Sequence, residues 1–157
     1  KEQISSLAYS TWFENASIHS IENKTIKIST PTHIHKKQLK ETIKYIKQNG
    51  IQCGLAIKPD TKVEEIFEFL PYISLLLVMT VEPGKGGQKL IPKTIKKISK
   101  LKEYLYQNNL ETYIEADGGI NSENVKELKE AGVDIVVAGS YIINSEDYTN
   151  SIKELKK

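Results

Sequence analysis

The chain has 157 residues, 39% of them hydrophobic and 27% charged, with a mean hydropathy of -0.39. That is a soluble globular composition, with room for one domain or one domain plus an appendage. The longest apolar run, Ile73 to Met79, is broken by Ser74 and falls short of the roughly 20 residues of a membrane-crossing helix. The formal charge is +2 and all 22 basic residues are lysine. Arginine supplies the planar fork suited to base edges, so its absence argues against a sequence-specific nucleic-acid binder and for a solvated, lysine-rich surface.

The chain opens Lys-Glu-Gln with no apolar segment behind it, which reads as the absence of a secretory leader. A cytoplasmic protein with no membrane partner is expected. Ile4 to Phe13 reads as a helix with Ile4, Leu7, Ala8 and Trp12 on one side. Ile18 to Ile21 and Thr25 to Ser29 alternate apolar and polar residues around Glu22-Asn23-Lys24, a hairpin pattern. From residue 36 onward the pattern changes. Lys36 to Gln48 carries Leu39, Ile43 and Ile46 at helical spacing and stops at Asn49-Gly50. Ile51 to Ile57 is a buried strand containing Cys53, whose solitary thiol excludes an internal disulfide framework and a cysteine-based zinc site.

Thr61 and Glu64 form a capping-box pattern for a helix over Lys62 to Leu70. Leu75 to Val81 is a second apolar strand, and Lys93 to Asn108 a helix with Ile95, Ile98, Leu101 and Leu105 on one face. Thr112 to Ala116 and Ile135 to Ala138 are further strands. A helix from Ser122 to Ala131, closed by Gly132, lies between them, and Ser145 to Leu155 is the last helix. Strands that are apolar throughout belong to parallel sheets. Residues 36 to 157 therefore read as α/β, a helix followed by four strand–helix units. Residues 1 to 35 form a separate short helix–hairpin segment.

Three turns follow three successive strands: Glu82 to Gln88, Asp117-Gly118-Gly119, and Gly139-Ser140. In a parallel α/β sheet such turns share the carboxyl edge, where ligands bind. Glycines there let the backbone approach an anion and present N–H groups to it, so Gly84, Lys85, Gly86, Gly87, Gly118, Gly119, Gly139 and Ser140 are candidate phosphate-binding residues. Asp117 is the carboxylate placed beside them, suited to proton abstraction, to metal binding or to a turn. Glu82, before a proline, reads as a structural hydrogen-bond partner. The P-loop signature is absent, since Gln88 follows Gly86-Gly87.

Val78 to Gln88, Ile114 to Ile120 and Val137 to Ser140 closely resemble ribulose-phosphate 3-epimerases in content, order and interval. The resemblance covers roughly residues 36 to 157. It implies a TIM (β/α) barrel, here a partial one of about four units, that interconverts ribulose 5-phosphate and xylulose 5-phosphate. It also implies reversible proton abstraction beside a carbonyl, one acid serving each face of an enediolate, and a divalent metal (zinc, iron or manganese). By that resemblance Asp117 is one acid/base and a metal ligand. The glycine turns and Ser140 hold a phosphorylated pentose, and Met79 lies near the site. Lys85 departs from the aromatic residue common there and reads as a tolerated loop variant. The family's first-half residues, which carry the remaining metal ligands and the opposing acid/base, have no counterpart here. His19, His33 and His35 read as surface residues.

Residues 1 to 35 are similar instead to the amino-terminal domain of the bacterial chromosomal replication initiator, through Ile4 to Phe13, Ile18 to Ile21 and Thr25 to Ser29. That likeness implies self-association and helicase-loader contacts, with Trp12 and Phe13 as candidate contact residues; Trp12 reads first as core. A complete barrel has eight strands and about 250 residues, so half of one leaves open sheet edges. Self-association through those edges, or cover by the amino-terminal segment, is expected. Three functions are therefore in view: an epimerase of reduced activity, a non-catalytic phosphosugar binder, and an interaction module led by residues 1 to 35.

Overall fold

The computed structural model describes residues 17–22 and 25–29 by their backbone, and residues 36–156 in full. The helix expected over Ile4 to Phe13, with Trp12 and Phe13, lies outside the described residues, as do His33 and His35. Strands β1 (Ser17–Glu22) and β2 (Thr25–Ser29) pair antiparallel, as the alternating pattern anticipates. β2 then runs parallel to β3 (Gln52–Ile57), with Thr25 opposite Gln52 and Ser29 opposite Ala56. The hairpin and the α/β region thus share one sheet. It continues in parallel through β4 (Leu75–Met79), β5 (Tyr113–Asp117) and β6 (Ile135–Val137), in sequential order.

Helices α1 (Lys36–Gln48), α2 (Lys93–Gln107), α3 (Val125–Glu130), α4 (Gly139–Ile143) and α5 (Tyr148–Leu155) fill the connections. α2 buries Thr94, Ile95, Ile98, Leu101 and Leu105, the three-and-four spacing of one helical stripe. Ile95, Ile98, Leu101 and Leu105 join Ile43 and Ile46 of α1 and Leu128 of α3 in one cluster with alternate strand residues: Cys53, Leu55 and Ile57, Leu76 and Val78, Ile114 and Ala116. The strand residues between them face the other way, and Ala56, Leu77, Met79 and Asp117 among them line a cleft. Three helices end alike. Gly50 (φ 72°), Asn109 (φ 52°) and Gly132 (φ 99°) take left-handed backbone. The next residue then returns its N–H to the last turn: Ile51 to Ile46, Leu110 to Leu105, Val133 to Leu128.

The helix expected over Lys62 to Leu70 is replaced by two 3₁₀ turns, Val63–Glu65 and Leu70–Tyr72. Ile66, Phe69 and Tyr72 each donate to the carbonyl three residues back. Val63, Ile66 and Phe69, all buried, therefore recur at a strict spacing of three, which fits a 3₁₀ repeat and not an α-helix. Thr61 does not cap a helix; its hydroxyl accepts the Lys58 N–H. Gly139-Ser140, expected as a turn, is the first turn of α4. α5 starts beyond Ser145 because Asp147 caps it, accepting the Asn150 N–H at 2.9 Å.

Cys53 is buried in the sheet, and burial pushes its thiol pKa from 9.0 up to about 11. The raised value means the folded state holds this proton more tightly than the unfolded chain. The resulting stability is complete below pH 9 and is lost as pH rises through about 11. Native protein at pH 8 is expected to react with a thiol reagent only at the rate of unfolding; immediate stoichiometric labelling would contradict the buried placement.

Candidate functional site at the carboxyl edge of the sheet

A cleft of about 570 Å³ opens where β4, β5 and β6 end. Its floor is the face of the sheet turned away from the helices, with Ala56, Leu77, Met79 and Val137 contributing. The Gly84 to Gly87 loop, Asp117, Gly118-Gly119 and Gly139-Ser140 all line it. Asp117 and the eight candidate phosphate-binding residues are therefore brought to one opening. Asp117 ends the central strand of the three, with Met79 opposite on β4 and Val137 opposite on β6. It is half-buried.

The glycines serve different physical ends. Gly118 (φ 125°) and Gly119 (φ 67°) hold left-handed conformations in tight quarters. A Cβ on Gly118 would stand 2.4 Å from Val81 Cγ2, and one on Gly119 2.4 Å from the Leu90 nitrogen and 2.6 Å from the Gln88 oxygen. This turn is glycine so that the 82–91 loop can close over it. Gly139 has no such constraint: nothing lies within 4 Å of its would-be Cβ. The space beside it is open cleft.

Residues outside the sequence-derived set fix these turns. Gln88 Nε2 donates to the carbonyls of Glu82 (2.6 Å) and Lys85 (2.7 Å), closing the loop on itself. Glu82 is thus a hydrogen-bond partner through its carbonyl, and the residue is part of the cleft lining. Asn124 Nδ2 donates to the Gly119 carbonyl at 2.8 Å, and its Oδ1 accepts the Asn121 N–H. Thr80, wholly buried, donates its hydroxyl to the Gly118 carbonyl at 2.6 Å. Glu115, 4% exposed, sits one layer below Asp117 on the same strand face. It is the one charged residue inside an apolar strand, and that was the signal available. Lys85 is exposed and contributes the cationic side chain of the cleft lining.

Among the described residues no group of three His, Cys, Asp or Glu side chains is placed to hold a metal ion. Asp117 brings one carboxylate, too few to compete with water for a divalent ion. The described residues do not by themselves make a metal centre. His19 lies on β1, where the backbone alone is described.

Parallel strands with helices on one face, and a cleft at the strands' carboxyl ends, define a partial (β/α) barrel, a class whose active sites lie at that rim. Solved structures agree on the fold. The chain superposes on a 3-hexulose-6-phosphate synthase with a TM-score of 0.60 at 14% identity, over 85% of this chain and 60% of that one. On the enzyme of that name from Salmonella typhimurium the TM-score is 0.58 at 20% identity, over 84% and 59%. Residues 15–143 match the sequence profile described as the Ribulose-phosphate 3 epimerase family, and the chain belongs to that family. It is 39% identical over 122 residues to the ribulose-phosphate 3-epimerase of Helicobacter pylori strain J99, spanning 78% of this chain and 56% of that protein. To the enzyme of Eremothecium gossypii it is 40% identical over 116 residues, 74% of this chain and 47% of the other. The chain spans about half the length of these relatives. The match begins at residue 15, within the segment set apart by sequence pattern. The family generally uses a divalent metal. No helix among the described residues is long and apolar enough to cross a membrane.

Proposed function

We propose that the cleft binds a phosphorylated pentose and that Asp117 exchanges the proton on C3 of ribulose 5-phosphate, one half of its interconversion with xylulose 5-phosphate. The observation that supports this is the convergence of Asp117 and the glycine turns on a single opening. Gly84, Lys85, Gly86, Gly87, Gly118, Gly119, Gly139 and Ser140 hold the phosphate and the sugar. Their backbone N–H groups donate to the anion, and the open space beside Gly139 admits it. Asp117 takes the proton while the ketone accepts the electron pair to give an enediolate, and the glycine amides keep the substrate in place.

Inversion requires that the proton return on the opposite face, from a second group. The resemblance assigns that group, and the further metal donors, to the half of the family barrel that this chain does not span. In a coupled assay with ribulose 5-phosphate the chain alone is therefore expected to turn over far more slowly than a full-length family member. Full-length turnover would contradict this reading. A second reading, a non-catalytic phosphosugar binder working in the cytoplasm, is supported by the lack, among the described residues, of any group of three His, Cys, Asp or Glu side chains placed to hold a metal ion.

We also propose that the chain self-associates through the β6 side of the sheet. β2 covers the edge of β3, but Ile135 and Val137 on β6 are 43% and 37% exposed, with Ile143 of α4 at 71%. An exposed apolar edge strand pairs readily with another chain. Light scattering at micromolar concentration should report a dimer or larger species; a folded monomer would refute it.

A further inference from the structure

Thr80 does not line the cleft, yet its backbone and side chain hold the turn that does. Its amide donates to the Asp117 carbonyl at 2.8 Å, its hydroxyl donates to the Gly118 carbonyl at 2.6 Å, and its own carbonyl accepts the Ile91 N–H at 2.8 Å. In a trans peptide the C=O and the following N–H point in opposite directions. Drawing the Gly118 carbonyl inward, onto a side chain of no exposure, turns the Gly119 N–H outward. Gly119 is in the cleft wall. A Gly-Gly peptide is the one most free to flip, since neither neighbour has a Cβ to resist it. The next peptide is fixed separately, by Asn124 on the Gly119 carbonyl.

We propose that Thr80 is a positioning residue acting through the Gly118–Gly119 peptide: its hydroxyl holds that peptide with the Gly119 N–H aimed into the cleft, where it donates to a phosphate oxygen. This rests on the reading of the cleft as a phosphate site. Thr80→Val keeps the shape, removes the donor and leaves the Gly118 carbonyl buried without it. The peptide is then free to turn over and withdraw its N–H.

The test is a titration of the ¹⁵N-labelled chain with inorganic phosphate. The unmodified chain should bind, with the Gly119 amide proton moving through the titration. Thr80→Val should weaken phosphate about tenfold or more, and Thr80→Ser, which keeps the hydroxyl, should stay within about twofold of the unmodified chain. Thr94→Val is the control for mere destabilisation. It removes another buried hydroxyl bond, to the Ile91 carbonyl at 2.6 Å, and should lower the melting temperature while leaving phosphate affinity unchanged. Equal affinities in Thr80→Val and Thr94→Val would overturn the assignment. So would a Gly119 amide that ignores bound phosphate, which remains decisive if Thr80→Val does not fold. If the unmodified chain binds no phosphate, the phosphate reading itself falls and Thr80 loses its role with it.

Discussion

Gly119→Ala should destabilise the chain by at least about 3 kcal/mol, read as a shift in the denaturant midpoint by circular dichroism. Two costs combine. The left-handed backbone at φ 67° strains any residue with a side chain. The added carbon would also stand 2.4 Å from the Leu90 nitrogen and 2.6 Å from the Gln88 oxygen. Those are main-chain atoms of a loop whose far end is tied by the Ile91 N–H to the Thr80 carbonyl, so they cannot swing aside as a side chain could. Gly139→Ala is the matched contrast. Its Cβ meets nothing within 4 Å, its backbone is ordinary, and it lies in a helical first turn. Stability should change by less than about 0.5 kcal/mol or rise slightly. A loss below about 1 kcal/mol for Gly119→Ala would mean that the loop does not close over the turn as described.

The second large effect concerns the carboxylate. A single base on one face can remove a proton and return it to the same face. Ribulose 5-phosphate incubated with the chain in heavy water should therefore gain deuterium at C3 faster than xylulose 5-phosphate appears. In the proposed step the carbon–hydrogen bond would break, its electrons would move into the enediolate, and Asp117 would exchange its proton with solvent before giving a deuteron back. Asp117→Asn should lower that exchange by about 10²- to 10⁴-fold, while phosphate binding persists because the glycine amides are untouched. Epimer appearing in step with deuterium would contradict this account. It would show that a second group, such as that of Glu82 in the cleft lining, serves the opposite face.

Much of this was legible in the residues because local pattern and global fold agree. α1 spans Lys36–Gln48 as its apolar spacing and Asn49-Gly50 stop require, and the apolar runs at Leu75, Thr112 and Ile135 all became mutually parallel strands of one sheet. That the glycine turns would meet was legible for a topological reason: parallel strands deliver every following turn to the same edge. What escaped was set by contacts between distant segments. The Lys62 to Leu70 stretch has a good capping box, but burial of Val63, Ile66 and Phe69 at intervals of three overrode it. Thr80 looks like any polar residue at a strand end until the Gly118 carbonyl, 38 residues on, is seen to accept from it. Asn124 falls within the stretch expected as helix from Ser122 to Ala131; the helix begins after it, and its side chain clamps the Asp117 turn from the far side. Sequence pattern set residues 1 to 35 apart, and parallel pairing with β3 joins β2 to the same sheet.

The most direct test is a calorimetric titration of the unmodified chain and of Gly139→Val with ribulose 5-phosphate. Saturable heat for the first and none for the second, at matched melting temperatures, is the expected outcome, because the valine side chain would occupy the anion's space without touching the fold. An unmodified chain that takes up no ligand, or a valine variant that binds just as tightly, would show that the glycine turns do not enclose a phosphate.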